Sequence, residues 1–165
     1  MNLVLKKRSH LWWGQNLLPC TWGRGGIRGN KKEGDGATPI GTFPFRKVFY
    51  RADRLAAPKT CLPLKPLTPQ DGWCDDVEDP AYNKHIQKPF EGRHEDLWRA
   101  DHLYDIILIV GHNDNPIVKD EGSAIFVHLR HPESTPTDGC VALDLTDLLK
   151  ILAEATPESC LIVEN

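Results

Sequence analysis

The sequence predicts a mainly β fold, α+β in class with a β-sandwich-like core, and three observations carry that prediction. The apolar runs are strand-sized, the longest being Ile106–Val110. Only one stretch, beginning near residue 144, repeats leucine on a helical face. Glycine- and proline-rich segments separate the apolar runs, as short strands joined by turns require. With 165 residues the chain fits one domain, 1–165, and such a chain buries roughly 70% of its unfolded surface. Its 40% hydrophobic and 26% charged content excludes a disordered chain.

Taken in order, residues 2–8 and 11–22 read as short strands, with Trp13-Gly14-Gln15 offering a hairpin turn. Seven glycines follow between Gly23 and Gly41. Residues 45–50 read as another strand. Residues 58–104 are rich in proline and aspartate, and a connection that long predicts a lid or a cleft wall. Residues 105–111 and 124–129 read as buried strands. Leu145, Leu148, Leu149 and Leu152 then share a helical face, with Asp144 as the expected N-cap and Pro157 beyond the end. Residues 160–163 complete the core as a last strand.

Charge and cysteine usage exclude several functions. Residues 1–60 hold 12 basic and 3 acidic side chains, against 8 and 20 in the remainder. No nucleic-acid-binding signature accompanies the bases, so the two stretches are expected to neutralise each other, with no nucleic-acid partner. No apolar run reaches the roughly 18 residues of a membrane helix, which predicts no membrane insertion. The N-terminus lacks the order of a secretory signal, and a cytoplasmic location is expected, or a periplasmic one if a leader has been removed. Five widely spaced cysteines with no C-x-x-C suggest neither a disulfide framework nor a zinc knuckle.

The chemistry-bearing residues narrow quickly. The glycine-rich stretch fails as a Walker loop, since Asn30-Lys31 follows Gly29, and as a dinucleotide fingerprint, since Arg28 stands where glycine is needed. His128-x-x-His131 supplies only half of a metal site, and no metal or other cofactor is expected. What remains is His128 near a strand end and Cys140 after Gly139. A cysteine nucleophile needs a thiolate, and a neighbouring imidazole takes the proton. Gly139 leaves the backbone free to expose the sulfur and aim N–H groups at an oxyanion. The bland alternative is a buried cysteine beside a core histidine, which Cys160 in its apolar setting illustrates.

The segment Asp35-Gly-Ala-Thr38-Pro39-Ile-Gly41-Thr-Phe43, followed downstream by His128 and Thr137-Asp138-Gly139-Cys140, resembles the L,D-transpeptidase catalytic domain, the YkuD-like family. The resemblance spans roughly residues 20–155. It implies a β-rich fold with one amphipathic helix after the catalytic cysteine, and peptidoglycan stem peptides or muropeptides as substrate. It implies that Cys140 attacks the carbonyl of the third, diaminopimelate-type residue of a tetrapeptide and releases D-alanine. His128 would be base and then acid, Gly139 and Cys140 would help bind the oxyanion, and Thr137 would hold the turn. Water as acceptor gives an L,D-carboxypeptidase of cell-wall recycling; an amine gives 3–3 cross-links in the periplasm. A non-catalytic muropeptide-binding module is the alternative of another class.

The chain departs from the family pattern at two positions. Asp138 stands where the family has histidine, and Ala142 where it has an arginine suited to clamp a carboxylate. Arg130, Arg28 or the basic N-terminal third are the expected substitutes. Asp138 and His112 are further expected cleft residues, Asp138 also as a group orienting an imidazole, and His131 is a weaker alternative base.

Overall fold

The computed structural model describes residues 1–6 and 10–165; Lys7 and Arg8, the end of the first predicted strand, lie outside the described residues. In chain order the strands are β1 (Leu3–Lys6), β2 (His10–Trp13), β3 (Asn16–Leu18), β4 (Cys20–Thr21), β5 (Ile27–Arg28), β6 (Thr38–Pro39), β7 (Gly41–Tyr50) and β8 (Leu64–Pro66). They continue as β9 (Asp71–Cys74), β10 (His85–Gln87), β11 (His94–Asp96), β12 (Ile106–Val110), β13 (Phe126–Leu129), β14 (Val141–Leu143) and β15 (Cys160–Val163). One helix, α1 (Leu145–Glu154), separates β14 from β15. The mainly β class and the single late helix are as the sequence predicts.

Ten strands form one sheet in the order β3-β2-β1-β15-β7-β12-β13-β14-β4, with β8 against β7. The ten residues of β7 join its two halves. Gly41 to Pro44 pair with β15, and the rest of the strand pairs with β12 across an irregularity at Ile109/Val110. Period-two alternation then gives the sheet two working faces. Val48, Ile106, Leu108, Val127, Val141 and Leu143 enter the main core together with Leu3, Leu5, Leu11 and Trp13 from the other half. Phe49, Ile107, Ile109, Phe126 and Cys140 face a second, smaller core.

The helix caps the main core through Leu148, Ile151 and Leu152. Leu145, expected on that face, is 36% exposed. Asp144 precedes the helix but makes no side-chain cap, since its carboxylate receives Arg130 at 2.9 Å. The predicted strand over 11–22 breaks into β2, β3 and β4, with Gly14 at φ 59° turning the first pair into a hairpin.

The 58–104 segment is organised rather than a plain loop. Its strands β10-β9-β11 form a separate three-stranded sheet, and Trp73 of β9 with Leu97 just past β11 covers the smaller core. Asn83 ties this sheet to the large one. Its amide oxygen accepts from Trp73 Nε1 at 3.0 Å and from the Ala124 N–H at 3.1 Å, while its Nδ2 donates to the carbonyls of His112 and Asn113. Several N-terminal cations reach acids of the second half, among them Arg24 to Asp138, Arg46 to Asp114 and Arg54 to Asp105. The opposite charges of the two stretches therefore meet within the fold. Among the described residues no helix is long and apolar enough to cross a membrane.

Candidate active site

The parallel pairing of β13 with β14 sets the geometry. Val127 lies opposite Val141 and His128 opposite Ala142. Because Val127 and Val141 point into the main core, Phe126, His128, Cys140 and Ala142 share the opposite face. His128 on β13 and Cys140, the residue just before β14, thus share one face, two residues apart in register. Both line a cavity of about 620 Å³, bounded by the glycine-rich loops on one side and by residues 75–104 on the other. The long segment is a cleft wall, as its length suggested.

Cys140 is 7% exposed and His128 5%. The Phe126 N–H donates to Cys140 Sγ at 3.3 Å, and the thiol donates to the Ala124 carbonyl at 3.2 Å. Burial pushes the thiol pKa well up, and the nearby Glu95 carboxylate adds to the rise. His128 Nδ1 lies 2.8 Å from the Leu129 carbonyl, an acceptor that requires Nδ1 to carry the proton. Nε2 is then the unprotonated nitrogen. Tyr104 packs edge-on against the imidazole, with 5.1 Å between ring centroids. Burial lowers the imidazole pKa to about 4, so the ring is neutral at ordinary pH. The resting pair is a thiol and a neutral base.

The turn before the cysteine is held from both sides. Thr137 Oγ1 donates to the Cys140 carbonyl at 2.6 Å and accepts the Gly139 N–H at 3.2 Å. Its backbone pairs with Trp22 and Arg24. Gly139 has φ 131°, and a Cβ there would lie 2.8 Å from the Ala37 carbonyl oxygen. Only glycine fits this approach. Thr38, from the Thr-Pro segment, donates to the Gly139 carbonyl at 2.8 Å and accepts the Gly23 N–H at 2.9 Å. The two motif segments, about a hundred residues apart in sequence, therefore meet at one hydroxyl.

The remaining expected residues divide. Thr137 and Asp138 line the cavity. Asp138 pairs with Arg24 at 2.7 Å and orients no imidazole; its side chain is 83% exposed. Arg130 does not line the cavity, because Asp144 and Ser134 occupy its guanidinium. Arg28 is exposed and bonds the Gly25 carbonyl. His112 lies outside the main cavity; it is buried edge-on against Phe43, with Nε2 3.0 Å from the Glu121 carbonyl, beside a separate hollow of about 160 Å³. His131 is turned to its own loop, accepting the Glu133 N–H.

Sequence reasoning missed the charged and polar groups of the cleft wall, namely Arg93, Glu95, Arg99 and Tyr104. They come from three-residue strands and loops too short to show a period. Among the described residues no group of three or more His, Cys, Asp or Glu side chains could hold a metal ion. A family model for the L,D-transpeptidase catalytic domain (YkuD) matches residues 3–163. No curated protein and no solved structure matches the chain.

Proposed function

Because the chain belongs to the L,D-transpeptidase catalytic domain family, whose reaction is cysteine-dependent acyl transfer on peptidoglycan stem peptides, we propose that it is an L,D-carboxypeptidase. Cys140 Sγ attacks the carbonyl carbon of the third residue of a tetrapeptide, and His128 Nε2 takes the thiol proton. The bond to the terminal D-alanine then breaks, and the same imidazole returns the proton to the leaving amine. Water, deprotonated by His128, hydrolyses the thioester and frees the thiol. The Gly139 N–H is already spent on Thr137, so the Cys140 N–H is the backbone donor assigned to the oxyanion.

The observation that carries this reading is the bond from His128 Nδ1 to the Leu129 carbonyl. It fixes the tautomer that leaves Nε2 as base on the face shared with the thiol. The high thiol pKa fits a proton transfer coupled to attack rather than a resting ion pair. Water is favoured as acceptor by the cleft's size, which suits one stem peptide. A separate hollow beside His112 lies away from the thiol. The five free thiols, with Cys61 exposed, fit a reducing compartment, and we place the reaction on released muropeptides in the cytoplasm.

Incubation with disaccharide-tetrapeptide, followed by mass spectrometry, tests the proposal. Release of D-alanine to leave a tripeptide, lost in Cys140→Ser and unaffected by chelator, is the expected result. A 3–3 linked dimer as main product would make the protein a cross-linking transpeptidase. Binding without any turnover would make it a muropeptide-binding module. Fractionation of cells checks the compartment.

A further inference from the structure

The charges lining the cleft are unevenly matched. Arg24 is paired with Asp138, Lys31 with Asp35, Arg93 with Asp75 and Arg99 with Asp101. Each cation thus has an acid of its own. Two lining acids do not fit this scheme, Glu33, which accepts from the Tyr82 hydroxyl, and Glu95, the one whose charge is felt at the Cys140 thiol. Glu95 lies on β11, partly buried, and lines the cavity that contains Cys140 and His128. Its carboxylate has one described hydrogen bond, from the Tyr104 hydroxyl, which donates to Oε1. Arg99 is close enough for its charge to be felt at Glu95, yet its guanidinium bonds Asp101 through Nε and Nη2. Among the described residues no cation is in ion-pair contact with Glu95.

A carboxyl group removed from water with no cation beside it is costly unless the site's ligand brings one. The cleft's position beside the nucleophile makes that ligand the acyl donor. We infer that Glu95, held by Tyr104, is the subsite for a primary ammonium on the side chain of the residue whose carbonyl Cys140 attacks. The inference rests on the acyl-transfer reading above and adds the residue of this chain that determines specificity for that side chain. Docking a cation there also offsets a negative charge that opposes ionisation of the Cys140 thiol. Recognition and activation of the nucleophile are thereby linked.

The test compares two tetrapeptides, one with the free side-chain amine on its third residue and one with that amine acetylated. Turnover is read on the wild type, Glu95→Gln and Glu95→Asp, and affinity on the same chains carrying Cys140→Ala. For wild type, acetylation is expected to lower kcat/KM and affinity at least about tenfold, in line with loss of a partly buried charge pair. Glu95→Gln keeps an acceptor for Tyr104 and should treat the two peptides alike. Glu95→Asp should restore part of the discrimination, which a merely structural role for Glu95 would not produce. A wild type that differs less than twofold between the peptides, or a Glu95→Gln chain with the wild-type ratio, overturns the inference. Turnover indifferent to acetylation sinks the subsite alone. Amine-dependent binding without turnover sinks the acyl-transfer reading and leaves the subsite. Neither turnover nor amine-dependent binding sinks both.

Discussion

A nucleophilic cysteine is usually found where its thiolate is stabilised, and Cys140 is not in such a place. Its sulfur touches a backbone N–H and a backbone carbonyl, and burial raises its pKa. His128, also buried, stays neutral down to about pH 4. Without substrate the sulfur should therefore react slowly. Iodoacetamide at pH 7 is expected to label the exposed Cys61 well before Cys140, as peptide mapping would show. Equal rates at the two sites would mean that the thiolate is present at rest. Since Glu95 is the second cause of the raised thiol pKa, Glu95→Gln should speed labelling of Cys140 several-fold at pH 8 and leave Cys61 unchanged. His128→Gln keeps a hydrogen-bonding side chain but supplies no base. It should lower D-alanine release by roughly 10²- to 10⁴-fold, the usual worth of general acid–base catalysis. A loss under tenfold would point to another base.

The position of Cys140 depends on elements that are weak alone, since β14 has three residues and β6 two. Gly139 joins β6 to the turn before β14, and Asn83 joins the three-stranded sheet to the loop before β13. Gly139→Ala places a Cβ 2.8 Å from the Ala37 oxygen at a φ of 131° and should cost about 1–3 kcal/mol in strain. A urea midpoint reads that loss, and D-alanine release should fall further than stability does. Unchanged turnover would show that the turn does not aim the sulfur. Asn83→Ala leaves Trp73 Nε1 and the Ala124 N–H without their acceptor, at about 1–3 kcal/mol for each buried orphan. Much of this was legible in the sequence. His128 near a strand end and Cys140 after Gly139 stood out from the chain itself, and the resemblance implied that Thr137 holds the turn. Glu95, Tyr104 and Asn83 were not legible, because each acts through partners far away in the chain and sits in a strand or turn too short to have a period. Leu145 misled for the opposite reason, since its spacing is right for the helical face and yet it stays exposed.

For the molecule as a whole, the buried imidazoles make stability depend on pH. His128 and His112 both have pKa values lowered to about 4, chiefly by burial, whereas an unfolded histidine titrates near 6.5. Below pH 6.5 the unfolded chain binds protons that the folded chain refuses. The contribution present above that pH is therefore lost as pH falls toward 4, by about 2 kcal/mol per histidine at pH 5. His85, shifted downward by burial as well, acts in the same sense. Glu95 opposes it, because a carboxyl with a raised pKa takes up its proton more readily in the folded state. The lowered carboxylates of Asp35, Asp71 and Asp101 enter only at more acid pH, below their ordinary range. Two large losses against one gain leave the fold weaker at pH 5 than at pH 7. Urea midpoints at the two pH values measure the difference, and His112→Gln, which keeps a donor for the Glu121 carbonyl, should remove a good part of it. Equal wild-type midpoints would mean that these rings reach water, and a His128 that reaches water could not be the neutral, sheltered base on which the proposed chemistry depends.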